Sequence, residues 1–335
     1  MFAQTKVWLF LVLVIALALP LWNCAASYHE AAEMYVLVAT NIKIPYWQAA
    51  TAGLNQAAAQ LKVKADVVGP EHWDPKAQRD EFRRIVAKKP AGIMVSPADP
   101  ELMGPEIDAA IAQGIPVVTV DSDAPKSKRL LYIGTDNYQA GVMGARQAVE
   151  QLQGKGNVIV FTMPEQANLN DRLRGYSEVF AGHPQIKIAE VINVKGDPTI
   201  AFDRTMEMIE KSPGSADAFV CMEALACEEV AEVLDRKHLT GKVVVAMDTD
   251  ELTLEWVRKG SIVATVAQKP FTMAFTALKV LDDLHHHKPA SLDKKWAQDP
   301  FSPIPSFIDT GASLVTKGNL DEYVRAREAA TTKGK

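Results

Sequence analysis

The chain has 335 residues, with 36 Lys and Arg against 41 Asp and Glu, for a net charge of −5. Hydrophobic residues at 48% and charged residues at 23% exclude a disordered or collagen-like chain, and the mild acidity argues against a nucleic-acid groove. Three cysteines exclude a small disulfide scaffold, and at roughly 150 residues per domain the length suggests two domains.

Residues 1–27 read as an export signal rather than as part of the fold. Lys6 supplies a positive n-region, and residues 7–21 form an apolar run of 15. A spanning helix needs about 20 apolar residues, so the run suits a signal-peptide core. The run ends at Leu21-Trp22-Asn23-Cys24, which resembles the bacterial lipoprotein signal, with Cys24 as the acylated residue. Asn23 departs from that signal, where a small residue is usual. Cleavage after Ala25 or Ala26, or a short uncleaved anchor, are the alternatives.

Strand and helix then alternate. Residues 35–40 are a strand, and Ala50, Leu54, Ala57 and Leu61 share one face of the following helix, where Gly53 allows close approach to the sheet. Further strands start near Ala65, Gly92 and Ile115, separated by helical stretches at 75–88 and 101–113, with Gly114 placed as a C-cap. After Asp136 the pattern restarts, with strands at 157–163, 186–194, 216–222 and 242–248. Continuous apolar strands spaced by helices predict parallel sheets covered on both faces. The joins at 135–136, 268–270 and 306–310 are short, which predicts two α/β lobes connected by several strands.

In open α/β sheets, ligands bind beyond the carboxyl ends of strands. Those positions hold Tyr46-Trp47, Asp99, Asp121-Ser122-Asp123, Arg172, Met222-Glu223, Asp248 and Gln268. Flat aromatics with carboxylates, an Arg and an amide suit a sugar. Rings cover its C–H faces, and polar groups pair with its rim of hydroxyls.

Several motifs in order carry a family likeness: Ile44-Pro45-Tyr46-Trp47, Gly92-Ile93-Met94-Val95-Ser96-Pro97, Gly134-Thr135-Asp136-Asn137 with Gly141, Arg172-Leu173-Arg174-Gly175 and Val266-Ala267-Gln268-Lys269-Pro270. With them, the chain from about 35 to 320 resembles the periplasmic ribose-binding-protein family, sugar-binding components of bacterial ABC importers. The sensor domains of lac-repressor-type regulators share that fold. The resemblance implies a type I two-lobe α/β fold with three crossing hinge strands. Its N-terminal lobe would comprise 34–135 plus 269–305, and its C-terminal lobe 136–268 plus 306–330.

It also implies that Tyr46 and Trp47 line the sugar from one lobe and Phe202 from the other. Asp121, Arg172, Asp248 and Gln268 would hold the rim. Met222 and Glu223 stand where the family has Asn-Asp, Ile44 replaces an Asn, and Ser122 replaces an Arg. With fewer groups to pair hydroxyls, ribose is expected to bind less well than a hexose, a deoxy or methylated sugar, or another polyol.

His285-His286-His287 closes a helix, where His suits the C-terminal dipole, and is not read as a metal site. Cys221 and Cys227 read as two buried free thiols, with a disulfide as the alternative in an oxidising compartment. The chain has no P-loop and no Gly-x-Ser-x-Gly nucleophile elbow. The expectation is therefore a monomeric, non-enzymatic solute-binding protein of the periplasm or extracytoplasmic membrane face. It would use no cofactor and no nucleic acid, and would deliver a sugar or polyol to an ABC permease. The second reading is a sensory module that presents its ligand-bound form to a membrane receptor or kinase.

Overall fold

A computed structural model describes residues 28–30, 32–212 and 214–332, so the expected export segment and Cys24 lie outside the described residues. The first series runs β1 (Met34–Val38), α1 (Pro45–Leu61), β2 (Lys64–Val68), α2 (Pro75–Val86), β3 (Gly92–Val95), α3 (Pro100–Ala112), β4 (Val117–Val120) and β5 (Tyr132–Gly134). The second runs α4 (Asn137–Gln151), β6 (Lys155–Thr162), α5 (Ala167–Ala181), β7 (Gln185–Asn193), α6 (Pro198–Lys211), β8 (Ala218–Cys221), α7 (Ala226–Arg236), β9 (Val243–Met247), α8 (Glu251–Lys259) and β10 (Ala264–Ala267). The chain returns through α9 (Pro270–His286) and β11 (Phe307–Asp309), then ends in β12 (Ser313–Thr316) and α10 (Leu320–Thr332).

An Asp-Pro pair starts three of the helices. Asp74, Asp99 and Asp197 accept backbone N–H groups of the first turn, while the following prolines sit where a missing N–H is harmless. Asp99 is therefore a helix cap. Gly114 has φ 82° just after α3, as its C-cap reading requires.

The strands form two six-stranded sheets, ordered β11-β5-β4-β3-β1-β2 and β12-β10-β9-β8-β6-β7. The orders match position for position, so β4 corresponds to β9 and β5 to β10. Every pairing is parallel except that of β12 with β10. Strands β3, β4, β8 and β9 are buried along their whole length, which is why they read as unbroken apolar runs. Each sheet has its own hydrophobic core.

The chain passes between the sheets at 135–136, 268–269 and 310–312. The last crossing departs from the sequence reading, which assigned everything from 306 onward to the second lobe. Phe307–Asp309 pairs with β5 in the first sheet. A three-residue strand carries too little pattern to name its partner.

Two further expectations are corrected. A Cβ at Gly53 would fall 2.0 Å from the carbonyl oxygen of Phe271, so this glycine admits helix α9 rather than the sheet. Cys221 and Cys227 form a disulfide with Cα atoms 5.8 Å apart, not two free thiols. The turn from β8 into α7 brings the pair within bonding reach, which linear spacing does not reveal.

Candidate functional site

The carboxyl ends of both sheets open onto one cleft of about 590 Å³, mouth included. Asp121 follows β4 and Asp248 follows β9, at equivalent places in the two lobes. Tyr46 donates its hydroxyl to Asp121 Oδ1 at 2.6 Å, and Ser96 donates to Oδ2 at 3.0 Å. Gln268 Nε2 donates to Asp248 Oδ1 at 3.0 Å, and its own Oε1 accepts from Thr135 Oγ1 at 2.9 Å. Thr135 and Gln268 sit on two of the crossings, so this bond links them directly across the hinge.

Arg172 is the largest fully buried side chain of the described residues. Its Nε donates to Asn137 Oδ1 at 2.8 Å and its Nη1 to the Met222 carbonyl at 2.5 Å. Nη2 is buried with no hydrogen-bond partner among the described residues. Helix packing fixes this guanidinium. A Cβ at Gly141 would lie 2.1 Å from the Arg172 carbonyl oxygen, and one at Gly175 would lie 2.3 Å from that of Tyr138. Only two glycines let α4 and α5 touch backbone to backbone here.

Burial raises the Asp121 carboxyl above its usual range and holds Asp248 at about 7, in both cases against the pull of the Arg172 charge. Glu223 is also raised by burial. Buried carboxylates beside a buried Arg with a spare donor form a site able to accept and donate several hydrogen bonds at once.

The aromatic members divide. Tyr46 and Trp47 line the cleft in T-shaped contact, centroids 5.3 Å apart, and Trp47 Nε1 donates to Thr40 Oγ1 at 3.0 Å. Phe202 does not face them. It lies on α6 beneath the Arg236 guanidinium, 5.4 Å from its ring centroid, and is not a cleft residue. Its position in helix α6 turns it toward α7, away from the strand ends.

The aromatic that closes the cleft is Trp73, which the sequence reading missed. It precedes α2 in the first series, yet packs against the core of the second lobe, where a Cβ at Gly196 would meet its own Cβ at 2.4 Å. Its Nε1 is buried without a partner among the described residues. Gln166 and Asn168, both buried, also line the cleft. Gln166 and Asn168 lie in the same segment after β6 as Arg172, and Trp73 lies in the segment after β2, so nearness to a strand end did not separate them from the residues that were named. The Asp-Pro beginning at Asp74 is the one nearby signal, because it places Trp73 immediately before a helix cap.

Met222 is wholly buried and contributes only its carbonyl, to Arg172, so its side chain does not line the cleft. Glu223 does line it, but both its oxygens accept backbone N–H groups, from Leu225 and Ala226 at 2.7 Å each. It caps the start of α7. Of the residues expected to weaken hydroxyl pairing, Ile44 and Glu223 line the cleft and Met222 does not.

Residues 35–289 match the family model described as the periplasmic binding protein domain. The D-allose-binding periplasmic protein of Escherichia coli (strain K12) is 26% identical over 298 residues, covering 86% of this chain and 93% of the relative. Among solved structures, the arabinose binding protein AraP from Geobacillus stearothermophilus is 32% identical with a TM-score of 0.72, covering 87% of this chain and 99% of that one. The glucose-galactose binding protein GanP of the same organism is 27% identical with a TM-score of 0.79 over the same shares. With two matched parallel sheets, three crossings and a cleft between them, the chain belongs to the periplasmic binding protein family, in its ribose-binding-protein-like group of type I fold.

Proposed function

We propose that the protein is an exported solute-binding protein that captures a monosaccharide-like ligand between its lobes and delivers it, as a monomer, to an ABC permease. The observation that carries this reading is the buried Arg172 Nη2, which lacks a partner among the described residues and lies in a cleft shared with Asp121, Asp248 and Gln268. A buried donor left unpaired costs about 1–3 kcal/mol, so the site favours a ligand that brings an acceptor. Sugar hydroxyls bring both acceptors and donors, and Trp47, Trp73 and Tyr46 offer flat surfaces to the C–H faces. The names of the relatives, which bind allose, arabinose, glucose and galactose, support the same chemical class. No helix of the described residues is long and apolar enough to cross a membrane, and the apolar run at 7–21 supports export, with Cys24 as the lipid attachment point.

Calorimetry against pentoses, hexoses, deoxy sugars and polyols tests the reading. At least one is expected to bind with one-to-one stoichiometry, and Arg172→Leu is expected to abolish the signal while the protein stays folded by circular dichroism. No binding by any of these compounds would overturn it.

A further inference from the structure

Outside the cleft, four metal-ligating side chains converge at the opposite end of the first lobe. Asp282 and His286 lie four residues apart on the last turns of α9. His29 and Glu33 lie four apart in the segment that leads into β1. One ligand atom from each of the four falls within 4.8 Å of all the others.

We infer that this cluster binds a divalent transition metal of the zinc class. The separations carry the argument. His29 Nε2 is 2.9 Å from Asp282 Oδ1, and His286 Nε2 is 3.3 Å from Glu33 Oε2 and 3.6 Å from Asp282 Oδ1. Four ligands at Zn–N and Zn–O bonds of about 2.0–2.1 Å stand about 3.3 Å apart at the corners of a tetrahedron. These three separations bracket that edge and the others reach no further than 4.8 Å, so side-chain rotations that draw the four atoms inward admit a central ion.

Burial gives the cluster a reason to hold a cation. Glu33 and Asp282 are 7% and 5% exposed, so an ion held between them would be shielded from water. Each carboxylate already faces an imidazole nitrogen, and an ion at the centre would replace those direct contacts with four metal–ligand bonds. Two imidazoles and two carboxylates form the mixed nitrogen and oxygen set that zinc accepts. Outer partners already orient the carboxylates: Tyr35 donates its hydroxyl to Asp282 Oδ1 at 3.0 Å, and the Glu30 N–H donates to Glu33 Oε1 at 2.7 Å. Of the three consecutive histidines only His286 belongs to the set, so the tract itself is not the site.

The site lies at the amino end of β1, whereas Thr40 of the cleft lies just beyond its carboxyl end. A bound ion would tie the segment before the first strand to the end of α9 without touching the sugar cleft.

Untagged protein stripped with EDTA is titrated with Zn²⁺ by calorimetry and with Co²⁺ by visible absorption. One Zn²⁺ per chain is expected, and Co²⁺ is expected to give the intense visible bands of a four-coordinate site, which Zn²⁺ then bleaches. His29→Asn and His286→Asn should each weaken binding by about tenfold or more, while His183→Asn and His238→Asn leave it unchanged. Lack of Co²⁺ bands and Zn²⁺ heat in the unaltered protein would overturn the inference without recourse to variants. So would equal Zn²⁺ affinity in a folded His286→Asn protein.

Discussion

Asp121 and Asp248 are counterparts in the two lobes, and each holds the left-handed backbone conformation, with φ of 64° and 66°. Each N–H donates to the neighbouring strand, to Ile133 O at 3.1 Å and to Val266 O at 2.9 Å. Each carbonyl accepts a side-chain hydroxyl from the residue before that partner, from Tyr132 at 2.7 Å and from Thr265 at 2.6 Å. Asp and Asn tolerate this conformation better than most residues, yet it still stores strain, which the surrounding bonds hold in place. The same turn, built once per lobe, aims one carboxylate into the cleft from each side.

Burial sets the pH dependence of Asp248. Its folded pKa of about 7 lies above the ordinary 3.8, so the native state holds the extra proton between those values. The stability this group contributes is fully present below the unfolded pKa and is lost as pH rises through about 7. Asp248→Asn suits the left-handed backbone and cannot ionise. It is expected to raise the melting temperature of the sugar-free protein at mildly alkaline pH and to weaken sugar binding. Melting curves across pH check the first effect, and a variant less stable than the parent in alkali would contradict it.

The aromatic platform is expected to involve Trp47 and Trp73 rather than Phe202. Alanine at either tryptophan should weaken sugar binding by about 1–3 kcal/mol, the scale of losing a buried apolar face. Phe202→Ala should leave affinity unchanged and lose only its contact with Arg236. Comparing the three by calorimetry separates the roles, and a large effect at Phe202 would restore the original sandwich.

The α4–α5 crossing positions Arg172, so a methyl group there should act at a distance. Gly175→Ala places its Cβ against backbone and is expected to destabilise the protein by about 1–3 kcal/mol. Because the helices must separate, sugar affinity should fall with stability. Wild-type affinity in Gly175→Ala would mean that Arg172 keeps its place without this contact.

Three short crossings, two of them joined by the Thr135–Gln268 bond, favour hinge closure over loop folding. Small-angle scattering is expected to show a smaller radius of gyration with sugar than without it. An identical profile at saturating sugar would count against capture by closure.

The architecture was legible because burial on both faces leaves a strong trace. Runs such as Val117-Val118-Thr119-Val120, separated by helical periods and Asp-Pro caps, admit little besides a covered parallel sheet. The strand-end rule also named Asp121, Arg172, Asp248 and Gln268 together, and all four line the cleft. It failed where direction rather than position matters. Phe202 and Met222 hold plausible positions but point elsewhere, and a sequence does not record the rotation of a helix about its axis.

By itself the sequence determined strands β1 to β4 and β6 to β9 with the helices between them, that they form two series, and which polar groups follow them, because hydrophobic periodicity and capping act over a few residues. Only the tertiary structure decided that Trp73 reaches the second lobe, that Cys221 bonds Cys227, that β11 joins the first sheet and that His29 meets His286. Those relations depend on how separate elements pack, and packing is settled by the shape of the whole core rather than by any local pattern.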